Sequence, residues 1–291
     1  MAALVPVLVA SCTPGGAERG PSGAGEAVAL TASTLAGTGK PGSPPGDGVR
    51  VALADGVSPR PEWLGLRTLP TTPDGRAEGP QQTPAELRDR RLVTLDRLEP
   101  PAGDEFAATI DAVGPEVLTR STWVVGCPVE PEDLAYVTMT FWGFDQRPHT
   151  GEMIVHGTVA EDVVSVFGQL YRARFPIEEM RVVSPEDLAA PPTGDGNNTT
   201  SFVCRPVTGG RAFSQHASGL AIDVNPFHNP YRRDDLILPE LAADYLDRST
   251  ERPGMIREGD VVVAAFAAIG WSWGGNWRSL KDYQHFSLNG R

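Results

Sequence analysis

Long apolar runs are missing from this chain of 291 residues, and no segment is long enough for an ordinary transmembrane helix. Clustered cations are missing too. The net charge is -12 and the isoelectric point is near 4.9. That argues against nucleic acid or an anionic membrane surface as partner, since both call for gathered Lys and Arg. Cysteine is scarce: Cys12, Cys127 and Cys204 are the three, and they lack the CxxC-like spacing of a thiolate metal site. There is no HExxH helix, which removes the commonest metalloprotease design. No repeat is visible, and strands and helices do not alternate as in a doubly wound sheet.

The N-terminus carries the first positive signal. Ala2 to Ala10 is apolar but too short to span a bilayer, and it runs into Val9-Ala10-Ser11-Cys12. That end is similar to a bacterial lipobox, whose cysteine is lipidated after cleavage, although basic residues are absent between Met1 and Leu4. Residues 1–12 are therefore expected to be a lipoprotein-type signal segment with lipidation at Cys12. The protein is then exported, either secreted or held at the membrane by the lipid alone, facing the cell wall. With Cys12 lipidated, Cys127 and Cys204 remain, and an exported protein can join them as a disulfide. Two free buried thiols are the alternative.

From Thr13 to about Thr83 the chain is rich in Gly, Pro, Ala, Ser and Thr, with too little apolar surface to offset its ordering entropy. It reads as a flexible tether, in which Val51-Ala-Leu-Ala and Trp63-Leu-Gly-Leu could make local contacts but not a core; docking of Trp63 to Leu69 on the folded domain is the competing view. Residues 84–100 mix charges with leucines and read as a short helix or charged linker, so residues 13–104 form the tether and 105–291 the folded domain. In that domain Leu134 to Phe144 and Gly151 to His156 read as strands. Thr158-Val-Ala-Glu161 fits a capping box. Val159, Val163, Val164, Phe167, Leu170 and Tyr171 then line one helical face, and Pro176 stops the helix. Phe202 to Cys204 and Leu220 to Val224 read as short strands, and Asp260 caps a helix that ends at Gly270. The pattern favours an α+β fold, a small antiparallel sheet flanked by helices.

Two C-terminal motifs carry chemistry. Ser214-Gln-His216-Ala-Ser-Gly219-Leu-Ala221-Ile-Asp223 sets a His and an Asp seven residues apart, and Gly219 permits a bend that brings them together. Asp282-Tyr-Gln-His285-Phe286 adds a second His and a further carboxylate. Two imidazoles and one carboxylate are a three-ligand zinc set, with one position left for water and a carboxylate left over as its base. Asp282 cannot share a strand face with His285, so a turn must hold it beside the metal position.

With the intervening Gly270-Trp-Ser-Trp-Gly-Gly-Asn-Trp277, these motifs resemble the zinc D-alanyl-D-alanine carboxypeptidase (VanY-like) family of bacterial wall peptidases, which includes L-alanyl-D-glutamate endopeptidases. The resemblance covers roughly residues 195–291. It implies a hedgehog/DD-peptidase-like fold with the zinc site on the sheet. It implies Zn²⁺ as cofactor, held by His216, Asp223 and His285, with Asp282 as the catalytic carboxylate where other members carry Glu. An upstream arginine, here Arg205, would bind substrate and stabilise the oxyanion. Ser214 would contact substrate, orient a ligand or stabilise a turn. The implied reaction is hydrolysis of a peptide bond in the peptidoglycan stem peptide, by a monomer with wall peptides as partner. A non-catalytic wall-peptide binding module and a zinc amidase of another bond class are the alternatives. Trp271, Trp273 and Trp277 are expected to pack beneath the site, with a substrate wall as the alternative for one of them. His149, His156 and His228 are expected at the surface or internally satisfied, with an outer role at the metal open for His228. Asn197-Asn-Thr-Thr200 fits a glycosylation sequon but reads as a polar loop.

Overall fold

A computed structural model describes residues 56–73, 75–207 and 210–290. The expected signal segment, Cys12 and the first part of the expected tether lie outside the described residues.

Four helices occur among these: α1 (Pro115–Thr119), α2 (Ala160–Arg172), α3 (Pro185–Ala189) and α4 (Val261–Ala268). The strands are β1 (Ala108–Ala112), β2 (Leu134–Trp142), β3 (Pro148–His156), β4 (Glu179–Met180), β5 (Asn198–Thr199), β6 (Ala221–Asp223), β7 (Tyr231–Arg233), β8 (Leu236–Leu238), β9 (Ser272–Trp273), β10 (Lys281–Asp282) and β11 (His285–Ser287). They form three small antiparallel sheets, in the orders β1-β2-β3, β10-β7-β8 and β6-β11-β9, and β4 pairs with β5 in parallel. The chain is thus mixed α and β with small antiparallel sheets. No helix among the described residues is long and apolar enough to cross a membrane.

The long β2–β3 hairpin and α2 build the main core. Val137, Met139, Met153 and Val155 turn inward against Val163, Val166, Phe167 and Leu170 of the helix. The same core includes Ile222 of β6, Phe266 of α4, Trp273 of β9 and Phe286 of β11. Phe266 and Phe286 stack with ring centroids 4.0 Å apart. The sheet that carries the chemistry motifs is therefore welded to the bulk of the protein by its apolar side. Asp260 caps α4 as expected, its Oδ1 accepting from the amides of Val262 and Val263 at 3.0 Å each. The expected capping box at Thr158 does not form. His156 Nδ1 instead accepts from Thr158 N at 3.3 Å, a short 3-10 turn intervenes, and α2 begins at Ala160. Phe202 to Cys204 runs without strand pairing, held by single backbone bonds to Ile154 and His216.

The reading of residues 13–104 as a tether needs correction wherever it falls on described residues. Leu69, Leu87 and Leu92 are buried with Phe227, Leu241 and Tyr245 in a second apolar cluster, and Trp63 and Leu64 pack against it. Arg90 is 2% exposed and grips Glu178 through two nitrogens, each at 2.7 Å from a carboxylate oxygen. Arg60 adds a contact to Glu178 at 3.1 Å. Asp96 and Asp145 flank the two ring nitrogens of buried His149 at 2.6 and 3.0 Å. The described residues form one compact unit, so the folded part does not start near 105. Low apolar content keeps this segment from forming a core of its own. It does not prevent a few leucines from docking onto a core made by another segment.

Candidate metal centre

The site grows out of β6 and β11. These strands pair antiparallel with His285 directly opposite Asp223. His216 comes from the 3-10 turn Gln215–Ser218 just before β6. Gly219 ends that turn at φ +65°, and a Cβ there would meet the backbone N of His156 at 2.5 Å, so the bend that returns the chain to β6 requires glycine. Ser214 opens the turn, with its hydroxyl accepting from His216 N at 3.4 Å, which matches a turn-stabilising role.

Three donor atoms converge. His285 Nδ1 lies 3.0 Å from Asp223 Oδ1, His216 Nε2 lies 3.3 Å from the same oxygen, and the two ring nitrogens are 3.2 Å apart. Four-coordinate zinc, with bonds of about 2.0–2.1 Å, sets its ligand atoms roughly 3.3 Å apart. The spacing therefore suits the ion. His216 Nδ1 donates to the Ser201 carbonyl at 2.7 Å, which fixes its tautomer and turns the Nε2 lone pair toward the centre. Both histidines are buried. Burial opposes charge on Asp223, but His216 and His285 outweigh it and hold the carboxyl well below the usual range. An ionised carboxylate and a fixed imidazole lone pair, set close together at the edge of a cleft, are a fit for a cation.

Asp282 stands beside this cluster on β10, and a bend at Tyr283 and Gln284 separates it from β11. The bend supplies the turn that the sequence demanded. Trp273 Nε1 fastens it by donating to Tyr283 O at 2.8 Å. Gly274 allows it, because a Cβ there would lie 2.6 Å from the Asp282 carbonyl oxygen. Asp282 Oδ1 has no access to solvent and no hydrogen-bond partner among the described residues. Burial first, and the charge of Asp223 second, push this carboxyl up, and His285, Gln284 and Arg205 offset part of the rise. A carboxyl raised in this way exchanges protons nearer neutrality than a surface aspartate does.

All of these groups face one cleft of about 970 Å³, which Arg205 and Ser214 also line. Arg205 Nη1 donates to Pro206 O at 3.1 Å, and its charge reaches Asp282. Cys127 and Cys204 are joined, with Cα atoms 6.0 Å apart, so the segment leading to Arg205 is tied to the region before β2. Trp271 and Trp273 pack in the core as expected, whereas Trp277 lies against His285 at 5.4 Å between ring centroids and borders the cleft. His228 is buried away from the metal cluster, accepting from Asn197 at 3.0 Å and donating to Arg90 O at 2.8 Å. Asn197 of the sequon is buried in that same network, and Asn198 lies on β5. The sequence puts the pocket walls in the loop from Asn225 to Glu258 without singling out residues, and Tyr231 and Arg233 of that stretch line the cleft; Gln284 is a cleft residue that sequence reasoning missed. Gln284 sits inside the second motif and could have been weighed, but Tyr231 and Arg233 arrive on a hairpin with no local signature.

These features define a cluster of three donor atoms that could hold a metal ion, with a further carboxylate beside it, lining one cleft. Residues 208–288 match the family described as D-alanyl-D-alanine carboxypeptidase, so the resemblance carried by the motifs holds over that stretch. The match takes in Ser214, His216, Asp223, Asp282 and His285 and begins three residues after Arg205. Neither the curated proteins nor the solved structures yield a match to the chain.

Proposed function

We propose that this chain is a zinc-dependent peptidase that hydrolyses a bond in the peptidoglycan stem peptide, of the D-Ala-D-Ala carboxypeptidase or L-Ala-D-Glu endopeptidase type. The observation that carries the reading is the convergence of His216 Nε2, Asp223 Oδ1 and His285 Nδ1 beside the unpartnered Asp282 Oδ1. His216, Asp223 and His285 would hold the ion, which supplies Lewis acidity at the scissile carbonyl and lowers the pKa of water toward about 7.

The chain's own groups do the rest. The Asp282 carboxylate takes the proton of the attacking water and returns it to the leaving amine. Arg205 complements the charge that develops on the carbonyl oxygen. Trp277, against His285, restricts that ring to the orientation the cluster needs. Around this chemistry the proposal adds export, lipidation at Cys12 with the membrane reached through that lipid alone, monomeric action and wall peptides as partner. Mass analysis of muropeptides incubated with the protein is the test. New fragments cut within the stem are expected. Intact muropeptides that bind without cleavage would indicate a binding module, and loss of the whole stem from the sugar would indicate an amidase.

A further inference from the structure

Several arginines among the described residues are matched with carboxylates: Arg90 with Glu178, Arg120 with Glu152, Arg181 with Asp187. Two arginines line the cleft, and one of them, Arg205, gives its Nη1 to the Pro206 carbonyl at 3.1 Å. Arg233 is the other. It lines the cleft, yet among the described residues no carboxylate lies within ion-pair distance of it and its side chain makes no hydrogen bond. A guanidinium left without an anion in a substrate cleft, on a chain of net charge -12, is a fork waiting for one.

Its position is set by strand register. On β7, Tyr231 pairs directly with Asp282 of β10. Side chains alternate along a strand, so Arg233 shares the face of Tyr231 while Arg232 points the other way. The cleft lining agrees, since it includes Tyr231 and Arg233 but not Arg232. Two residues of strand place Arg233 roughly 6.5–7 Å beyond the position facing Asp282. That is a distance an extended peptide covers in about two residues, so a group near the bond cleaved beside Asp282 comes within reach of the long arginine side chain.

We infer that Arg233 is a specificity-determining residue that binds a carboxylate of the substrate close to the scissile bond, an inference that rests on the peptidase reading. The carboxylate comes either from the free C-terminus of the peptide or from an acidic residue within it, and the guanidinium recognises both with the same chemistry.

Three stem-type peptides separate these sources: the free acid, one with the C-terminal carboxylate as amide, and one with the internal carboxylate as amide. Each is assayed with the zinc-loaded full chain and with Arg233→Gln and Arg233→Lys. One of the two amides is expected to lower wild-type kcat/KM by about 10- to 100-fold, mainly through KM, the value of a charge-assisted hydrogen bond. In Arg233→Gln that preference should shrink to nearly unity, and Arg233→Lys should keep part of it. A glutamine variant that retains the full preference, or that loses the same factor on all three peptides, overturns the inference. If the wild type cleaves none of them, the peptidase reading fails, and calorimetric binding of the same peptides decides on Arg233. A binding preference for the acid that vanishes in Arg233→Gln would support the inference, and equal binding by the wild type would overturn it.

Discussion

Asp223 and His285 stand directly opposite each other across the β6–β11 pair, and their Oδ1 and Nδ1 atoms are 3.0 Å apart. A strand pair with its apolar side in the main core is a rigid mount for these two proposed ligands, and the turn that Gly219 closes adds His216 to them. Replacing His216 or His285 with Ala is expected to reduce zinc from one per chain toward none. Activity should fall by more than the roughly 10–100-fold that loss of an outer partner commands. Elemental analysis of the purified variants is the check, and a full zinc complement in both would remove them from the ligand set.

Asp282→Asn should retain zinc, because its carboxylate stands outside the three-atom cluster. Turnover should fall by about 10²–10⁴-fold, the ordinary value of general-base catalysis. The substitution nearly preserves shape, so circular dichroism and zinc content act as controls. Near-normal kcat would mean that another group accepts the proton.

Much of the site was legible because its residues lie within two short motifs whose spacing forces a bend. Gly219 and the small residues around it have few uses other than a tight return, and Asp282 and His285 could not be served by one strand face. The helices α2 and α4 were legible from their apolar period and from Asp260. Tyr231 and Arg233 were not, because the hairpin that delivers them reads locally as a polar loop. The packing of residues 56–104 was equally hidden. Leu87, Arg90 and Leu92 have partners such as Glu178 and Tyr245, far away in the chain, and composition carries no information about them.

The Arg90–Glu178 pair yields a stability prediction. Arg90→Ala leaves the buried carboxylate of Glu178 with only the partly exposed Arg60 and the amide of Asn197. Breaking a buried pair from one side typically costs about 3–5 kcal/mol, so the denaturation midpoint should fall steeply. A truncation starting at residue 105 removes Arg90 together with Leu87 and Leu92 and should aggregate or melt far below the longer chain. A fully stable truncated domain would show that the docking contributes nothing.

The Cys127–Cys204 disulfide closes a separation of 77 residues. A loop of that size gives about 3–5 kcal/mol in the chain-entropy account. Reduction, or Cys127→Ser, should lower Tm accordingly, as read by calorimetry with and without reductant. Peptide mapping without reductant should recover the linked pair.

Acid should destabilise the fold through His228. Burial lowers its pKa in the folded protein from the ordinary 6.5 to about 4. Between those values the unfolded chain binds a proton that the folded one does not, so this contribution to stability falls as pH drops from 6.5 to 4, by about 3 kcal/mol in all. Glu178 extends the loss. Burial opposes its ionisation, but Arg90 and then Arg60 hold it at about 2 against an ordinary 4.5, so its contribution disappears as pH falls from 4.5 to 2. Nitrogen-resolved NMR of the imidazole should show His228 neutral, with its proton on Nε2, until pH approaches 4. A ring that charges near 6.5 would contradict this.

Stripping and restoring the metal tests the central claim most directly. The chain is treated with a chelator, dialysed, and titrated with zinc while cleavage of stem peptide and bound zinc are followed together. The account expects activity to vanish on stripping and to return linearly, saturating at one zinc per chain, with no return in His285→Ala. Cleavage that persists in the stripped protein, or zinc bound at one per chain with no cleavage at any occupancy, would contradict it.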